Sequence, residues 1–492
     1  MFRTDVARIG TAERPGLPLL HVLFGLLGAM MTGYLLSLNI PIAFGFLVFL
    51  AMFSVVVLHP VSLIPGLVIL SVFVEKALQA VGLSVGGREL INVCGLINFC
   101  LALAIVFYTI TSRMRPFQSL VTPSFALYLA AVFLSLLVSV DAEMTIRSIV
   151  RITAGYCIYL MITQFVTDKR QIDGLVQLLL LVSVIPIAVG LYQIAFENHF
   201  VLSRDMRVKG TFKNGMSYAM YMACLLPYIF GQVLFSRGSR LRRSFFAALF
   251  VAGVANLVYT GTRIGWGAFA LAMTIYALLT DARRLLPLML IAFVLAVALF
   301  FPFFVQSFGG YFTTDWSTYL SDNVGWDFRS ADYLTASSLH IRVYVWRKMA
   351  EKLMDTNPWF GVGSGTWFEK FDLEMVGLPL ASHSDYFEVL FGAGFVGLTL
   401  YLLFRVRQLT LLARFAASGI DRSLKTSVLF PCLATHIACM GMSVTEVWQS
   451  YNGLYWLSWI AIGICEAYYR WYCTQEHGRD GTAEMVPVSA CQ

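Results

Sequence analysis

The chain has 492 residues, of which 58% are hydrophobic and only 13% charged, with a formal net charge of +7. A soluble domain of this size could not hide that much apolar surface, so the composition excludes a water-soluble globular protein and implies a polytopic membrane protein. Lipid offers no partners to open backbone groups, so the apolar runs must be helices.

Taken in chain order, the runs predict an all-α transmembrane helix bundle of about 14 (12–14) spans. They centre near Gly28, Phe49, Leu70, Leu101, Ala131, Tyr156, Ser183, Leu225, Ala252, Ala272, Leu295, Phe395, Ala434 and Ile460. The third, Val61–Gln79, is weak and interrupted by Pro65. No small-residue cleavage site follows the first run, which therefore reads as a retained span. The expected organisation is eleven spans with short loops over 1–305, a large external loop over 306–383, three spans over 384–470 and a tail over 471–492.

Basic residues collect in alternate loops: Arg3, Arg8 and Arg14; Arg113 and Arg115; Lys169 and Arg170; Arg237, Arg240, Arg242 and Arg243; Arg283 and Arg284; Arg405, Arg407, Arg414, Arg422 and Lys425. The positive-inside rule assigns these, and both termini, to the cytoplasm. Seven cysteines lie within predicted spans and two in the tail, so no disulfide framework or metal-type spacing is implied.

Three external features break the pattern. The loop Glu197–Gly215 carries Arg204, Arg207, Lys209 and Lys213, cations that call for an anionic partner or for lipid headgroups. The tight turn Thr260–Arg263 places a guanidinium where any neutral residue would serve. An arginine there costs free energy unless it binds something, and its planar fork suits phosphate oxygens. Capping or snorkelling is the plainer alternative.

The external insertion ends in a helix over Leu339–Met354, with Leu339, Val343, Trp346, Ala350 and Leu353 as an apolar stripe at helical spacing. With that stripe laid on the membrane, Arg342 sits beside it and faces the bundle. Asn357-Pro358 breaks the helix, and Gly361, Gly363 and Gly365 permit a tight backbone path, read as a turn in preference to a phosphate cradle. His383 comes next, immediately before a span, with Asp385 or Glu388 able to orient its ring. Arg147 and Arg151 are further candidates near the same face.

Arg263, Arg342 and His383 on one membrane face suit glycosyl transfer from a lipid pyrophosphate. Arginines would stabilise the charge that grows on the leaving group. An imidazole could accept the proton of an attacking hydroxyl. A transporter, the reading from another class, would need charges deep in the spans, and few are visible: Glu75, Lys76 and Glu446, all near span ends.

Four segments in order resemble the O-antigen ligase and polymerase superfamily of bacterial membrane glycosyltransferases. They are RVKGTFKNGMSYAMYM, YTGTRIGWGAFALA, HIRVYVWRKMAEKLMDTNPWFGVGSG and ASHSDYFEVLFGAGFVGLTLYLLF. The resemblance implies an inner-membrane enzyme with a periplasmic loop and active site, and metal-independent inverting transfer with no cofactor. It also implies a glycan donor on undecaprenyl pyrophosphate, with Arg263 and Arg342 binding the pyrophosphate and His383 activating the acceptor. Arg204, Arg207, Lys209, Arg147, Arg151 and Asp385 are additional candidate substrate contacts. Ser384 stands where the family usually has Asn, and Thr262 and Ile264 flank Arg263 where Ser and Gly are common. The expected function is polymerisation of exopolysaccharide or O-antigen repeat units. Ligation to lipid A-core or transfer to protein are the alternatives. The expected partners are lipid-linked glycan, a glycan or lipid A-core acceptor, membrane lipids and other polysaccharide assembly proteins, with no nucleic acid.

Overall fold

The computed structural model describes residues 40–73, 82–85, 88–197, 207–235, 239–281, 283–287, 338–366 and 382–479. Apart from one antiparallel hairpin, β1 (Gly82–Val85) with β2 (Arg88–Asn92), the described regular structure is helical. The helices are α1 (Ile40–Leu58), α2 (Pro60–Leu70), α3 (Val93–Ile110), α4 (Thr122–Leu136), α5 (Ala142–Phe165), α6 (Lys169–Val182) and α7 (Val184–Phe196). They continue as α8 (Gly215–Phe235), α9 (Arg240–Tyr259), α10 (Arg263–Thr280), α11 (Ser338–Asp355), α12 (Asp385–Ala417), α13 (Arg422–Met442) and α14 (Asn452–Arg479).

Among the described residues, eight helices are long and apolar enough to cross a membrane, or up to nine with one bent pair. The expected count of about fourteen includes runs near Gly28 and Leu295, which lie outside the described residues. The second and third runs do not form two straight spans, because Phe49–Leu58 and Pro60–Leu70 meet at a 120° bend. Pro60 has no N–H to offer the carbonyl four residues back, Val56. The Tyr108 hydroxyl from α3 donates to that carbonyl and to Val57 O at 3.2 Å, so the break is satisfied inside protein.

Helix α14 runs through the centre of the bundle. Its Trp456, Trp459 and Ile460 are buried, and Trp459 packs against Phe125, Tyr156 and Phe404. Further along, Glu466 is fully buried yet well supplied with donors. It accepts from Arg470 at 2.6 Å, from the Leu120 amide at 3.3 Å and from the Tyr159 hydroxyl. A buried carboxylate persists only with such partners, and this one ties α14 to α5 and to the segment before α4.

Helix α12 is not straight. Gly394 has φ 68° and ψ −169°, outside any helix. The rings of Tyr386 and Tyr401 lie 6.1 Å apart, whereas a straight helix would separate these positions by about 22 Å. The segment Asp385–Ala393 therefore folds back along Phe395–Arg405. This also buries Arg405, expected in a cytoplasmic loop, inside the bundle beside Tyr401 and Gln408.

Folding back strips backbone groups of their helical partners, and the glycine run supplies replacements. Val362 N donates to Phe391 O at 3.0 Å and Gly363 N to Gly392 O at 2.9 Å. In the other direction, Phe395 N donates to Pro358 O at 2.9 Å and Val396 N to Trp359 O at 3.2 Å. On the opposite side the run meets the α4–α5 turn, through Val140 N to Val362 O at 3.0 Å and Ser364 N to Ser135 Oγ at 3.3 Å. Gly361 N bonds Asn357 O at 2.8 Å. The amides of 361–364 are thus consumed by the protein and do not form a phosphate cradle.

The fit excludes side chains. Gly361 has φ 74°, and a Cβ there would fall 2.5 Å from Phe391 O and from the Gly392 carbonyl. We predict that Gly361→Ala destabilises the protein by at least about 2 kcal/mol, from left-handed strain plus the backbone clash. Gly267→Ala, where a Cβ meets nothing within 4 Å, should be tolerated. Thermal unfolding of the two variants in one detergent checks both.

Candidate active site

Helix α11 docks on the folded-back half of α12. Val345, Met349 and Leu353 pack with Val362 and Phe391 in a small core of their own. Trp346 stacks on Phe387 at 4.8 Å, and its Nε1 donates to Ser382 O at 2.7 Å. The buried face of α11 is therefore Arg342, Val345, Met349 and Leu353, a correction to the expected stripe, since Val343 is exposed. The face turns because α11 meets protein on this side, and a neutralised Arg342 can then be buried with it. On the outer side Lys348 and then Arg347 hold the Glu351 carboxyl below the usual carboxylate range by hydrogen bonding it.

The docking brings Arg342 to His383. His383 is left-handed, with φ 48°, a conformation that costs a non-glycine residue free energy and clusters at functional sites. Ser384 caps α12 by accepting from Phe387 N at 3.4 Å. Between the Arg342 and His383 side chains stands Glu446, from the turn after α13. Its Oε2 lies 3.4 Å from His383 Nδ1 and 3.6 Å from Arg342 Nη2, and its Oε1 accepts from the Tyr451 hydroxyl at 3.1 Å. Both distances are long for hydrogen bonds. The Glu446 side chain is 3% exposed and that of His383 36%. The carboxylate is thus shielded, while the imidazole is open to a substrate.

The carboxylate that faces His383 is that of Glu446 and not, as sequence reasoning expected, that of Asp385 or Glu388. Asp385 turns into the bundle, where its carboxylate accepts from Ser443 Oγ at 2.7 Å and from Gln449 N at 3.1 Å. Glu388 faces Arg151 and Ser382. The signal for Glu446 was present, an acid at the end of an apolar run. Nothing in the sequence tied it to a histidine so far upstream.

Arg263 opens α10, after Gly261 at φ 61°. Helices α10 and α13 run antiparallel: the Tyr276 hydroxyl donates to Thr426 O at 2.9 Å, and Leu271 lies against Gly441. Arg263 is consequently at the same end as the Ser443–Tyr451 turn that carries Glu446. The loop before α8 lines this end too. Val208 N donates to Tyr259 O at 3.4 Å, and a Cβ on Gly215 would lie 3.2 Å from Arg207 Cβ and 3.4 Å from Thr260 O. Met216 Sδ lies 4.0 Å from the Tyr451 hydroxyl, which closes a chain of contacts from the Arg263 turn to Glu446.

The remaining candidates are distributed differently. The backbone of Lys209 is pinned through its amide to Gln193 Oε1 at 3.0 Å, and its side chain is half-buried. Arg147 is solvent-facing and paired with Glu143 at 2.6 Å, the arrangement of a solvated helix surface. Arg151 points inward, with a buried Nε. Arg204 lies outside the described residues. Among the described residues no three His, Cys, Asp or Glu side chains gather as a metal-ligating group.

Residues 248–402 match the family model described as O-antigen ligase. That segment holds Arg263, Arg342 and His383 and ends before Glu446. No curated protein matches the chain. The matched segment contains the cationic side chains, the histidine and the α11–α12 unit that brings Arg342 and His383 to one carboxylate, and the match over these residues supports membership in the O-antigen ligase/polymerase family.

Proposed function

We propose that this protein is a glycosyltransferase of the bacterial inner membrane. It would move a glycan from undecaprenyl pyrophosphate to a sugar hydroxyl at the periplasmic face, polymerising exopolysaccharide or O-antigen repeat units. The observation that carries the proposal is the exposed imidazole of His383 held 3.4 Å from a buried Glu446 that also faces Arg342. A carboxylate at Nδ1 favours the tautomer with the proton on that nitrogen, which leaves Nε2 to accept.

The step runs as a single displacement. Nε2 of His383 takes the proton of the acceptor hydroxyl as its oxygen attacks the anomeric carbon. The bond from that carbon to the phosphate oxygen breaks, and the configuration inverts. The released lipid pyrophosphate carries the electron pair. Arg263 and Arg342 would stabilise the charge growing there, most strongly in the transition state. The proton arriving on His383 places a full positive charge beside Glu446, where it is stabilised. Long apo distances of this kind tighten when substrate binds.

The family description, O-antigen ligase, favours a second reading in which the acceptor is lipid A-core. One assay separates the two. Purified protein is given a lipid-pyrophosphate-linked repeat unit alone, with and without chelator, and then with lipid A-core. A chelator-insensitive ladder of longer lipid-linked glycans supports the polymerase. Product formed only with lipid A-core supports the ligase. No covalent product with either, despite donor binding, turns the reading towards transfer to protein or transport.

His383→Ala should lower kcat by about 10²–10⁴-fold and leave donor binding intact, checked by turnover and by lipid-donor titration. Arg263→Ala should weaken donor binding and lower turnover by about 10²–10³-fold. Arg263→Lys should recover little of it, since an ammonium cannot reproduce the bidentate fork. Glu446→Gln should lower kcat at least about tenfold with the donor KM nearly unchanged.

A further inference from the structure

The glutamate that faces His383 comes from a turn 63 positions further along the chain, between Ser443 and Gln449. Something must set that turn against the start of α12 to within a fraction of an ångström. One side chain touches both ends of the turn. Asp385 Oδ2 accepts from Ser443 Oγ at 2.7 Å, and Oδ1 accepts from Gln449 N at 3.1 Å. Its own N–H donates to Ser443 O at 3.0 Å, and Ser384 Oγ reaches the same carbonyl at 3.2 Å. Glu446 lies midway between the two residues the carboxylate grips. His383 lies two residues before Asp385, on backbone held by Trp346 through Ser382 O.

We infer that Asp385 is the positioning residue of the site: its carboxylate clamps both ends of the 443–449 turn and thereby fixes Glu446 against His383. The inference rests on the proposed role of His383 and Glu446. Asp385 is 1% exposed, so it meets no substrate and acts only through what it holds. A buried carboxyl group gripping two donors is also a rigid one, because each lost bond would leave a desolvated polar group unpaired. Arg405 is the cation near it, and Glu388, Tyr128, Tyr386, Tyr401 and Tyr455 are the other titratable side chains facing it. The arrangement resembles second-layer support of a catalytic group, where a misplacement of about 1 Å can cost about 10²-fold in rate.

The test is a set of full-length variants assayed with a lipid-pyrophosphate-linked repeat unit. Asp385→Ala should lower kcat about tenfold, no further than Glu446→Gln does, and leave the donor KM within about threefold, because Arg263 and Arg342 stay in place. Asp385→Asn should recover most of the rate, since the amide oxygen still accepts from Gln449 N and the Ser443 hydroxyl can turn to accept from the amide nitrogen. Ser443→Ala, which removes one bond and keeps the carboxylate, should fall between. The double variant Asp385→Ala, Glu446→Gln should be no slower than Glu446→Gln alone, because the clamp has nothing left to place. Wild-type kcat in Asp385→Ala overturns the clamp, as does full additivity in the double variant or an Asp385→Asn as slow as Asp385→Ala. Wild-type activity in Glu446→Gln itself sinks the underlying reading of the His383–Glu446 pair, a different failure visible in the same experiment.

Discussion

The site depends on a main-chain exchange at the break in α12. Four hydrogen bonds link Pro358–Gly363 with Phe391–Val396. Each contributes only about 1 kcal/mol net, but leaving a buried backbone group unmet costs about 1–3 kcal/mol. In a bilayer the penalty is larger, because no water can substitute. Without the glycine run the folded-back segment Asp385–Ala393 would have open backbone at its bend. Without that segment His383 would have no place in the bundle. The same run fixes the end of α11, and α11 carries Arg342. One stretch of backbone pairing thus sets two of the site's side chains.

Burial of charge follows from that frame. Arg342 and Glu446 are both buried and would each be costly alone. Facing each other, they form a locally neutral pair with His383 at its edge. Glu466 with Arg470, and Asp385 with its donors near Arg405, solve the same problem elsewhere. The bundle therefore carries more internal charge than its hydropathy suggests, and each charge has protein groups around it.

Much of this was legible in the sequence, because the informative residues break local rules. An arginine in a turn that needs none, a glycine run after a helix-breaking Asn-Pro, and a histidine at the head of an apolar run each stand out alone. What was not legible needs contact across distance. The stripe rule chose Val343 for the buried face of α11, since it ranks side chains by apolarity and cannot see Glu446 waiting to neutralise Arg342. Asp385 and Glu388 were natural partners for His383 by spacing, yet helical geometry sends Asp385 to a different neighbour. The fold-back at Gly394 left no mark either, because glycines are common in straight membrane helices. The bend near Pro60 had a signal, a proline within an apolar run, but nothing in the sequence placed the Tyr108 hydroxyl where it donates to the carbonyls at the break.

The order of the paired segments along the chain has a bearing on how the protein is made. The stretch that fills the break, Pro358–Gly363, precedes the break itself, Phe391–Val396, by about thirty residues. Synthesis runs from the N-terminus, so the filling backbone leaves the ribosome before the helix that requires it. When the apolar segment after His383 is made, its missing backbone partners already exist. The bent helix thus emerges with the groups that satisfy its open amides and carbonyls already made, and synthesis supplies the plug before the socket.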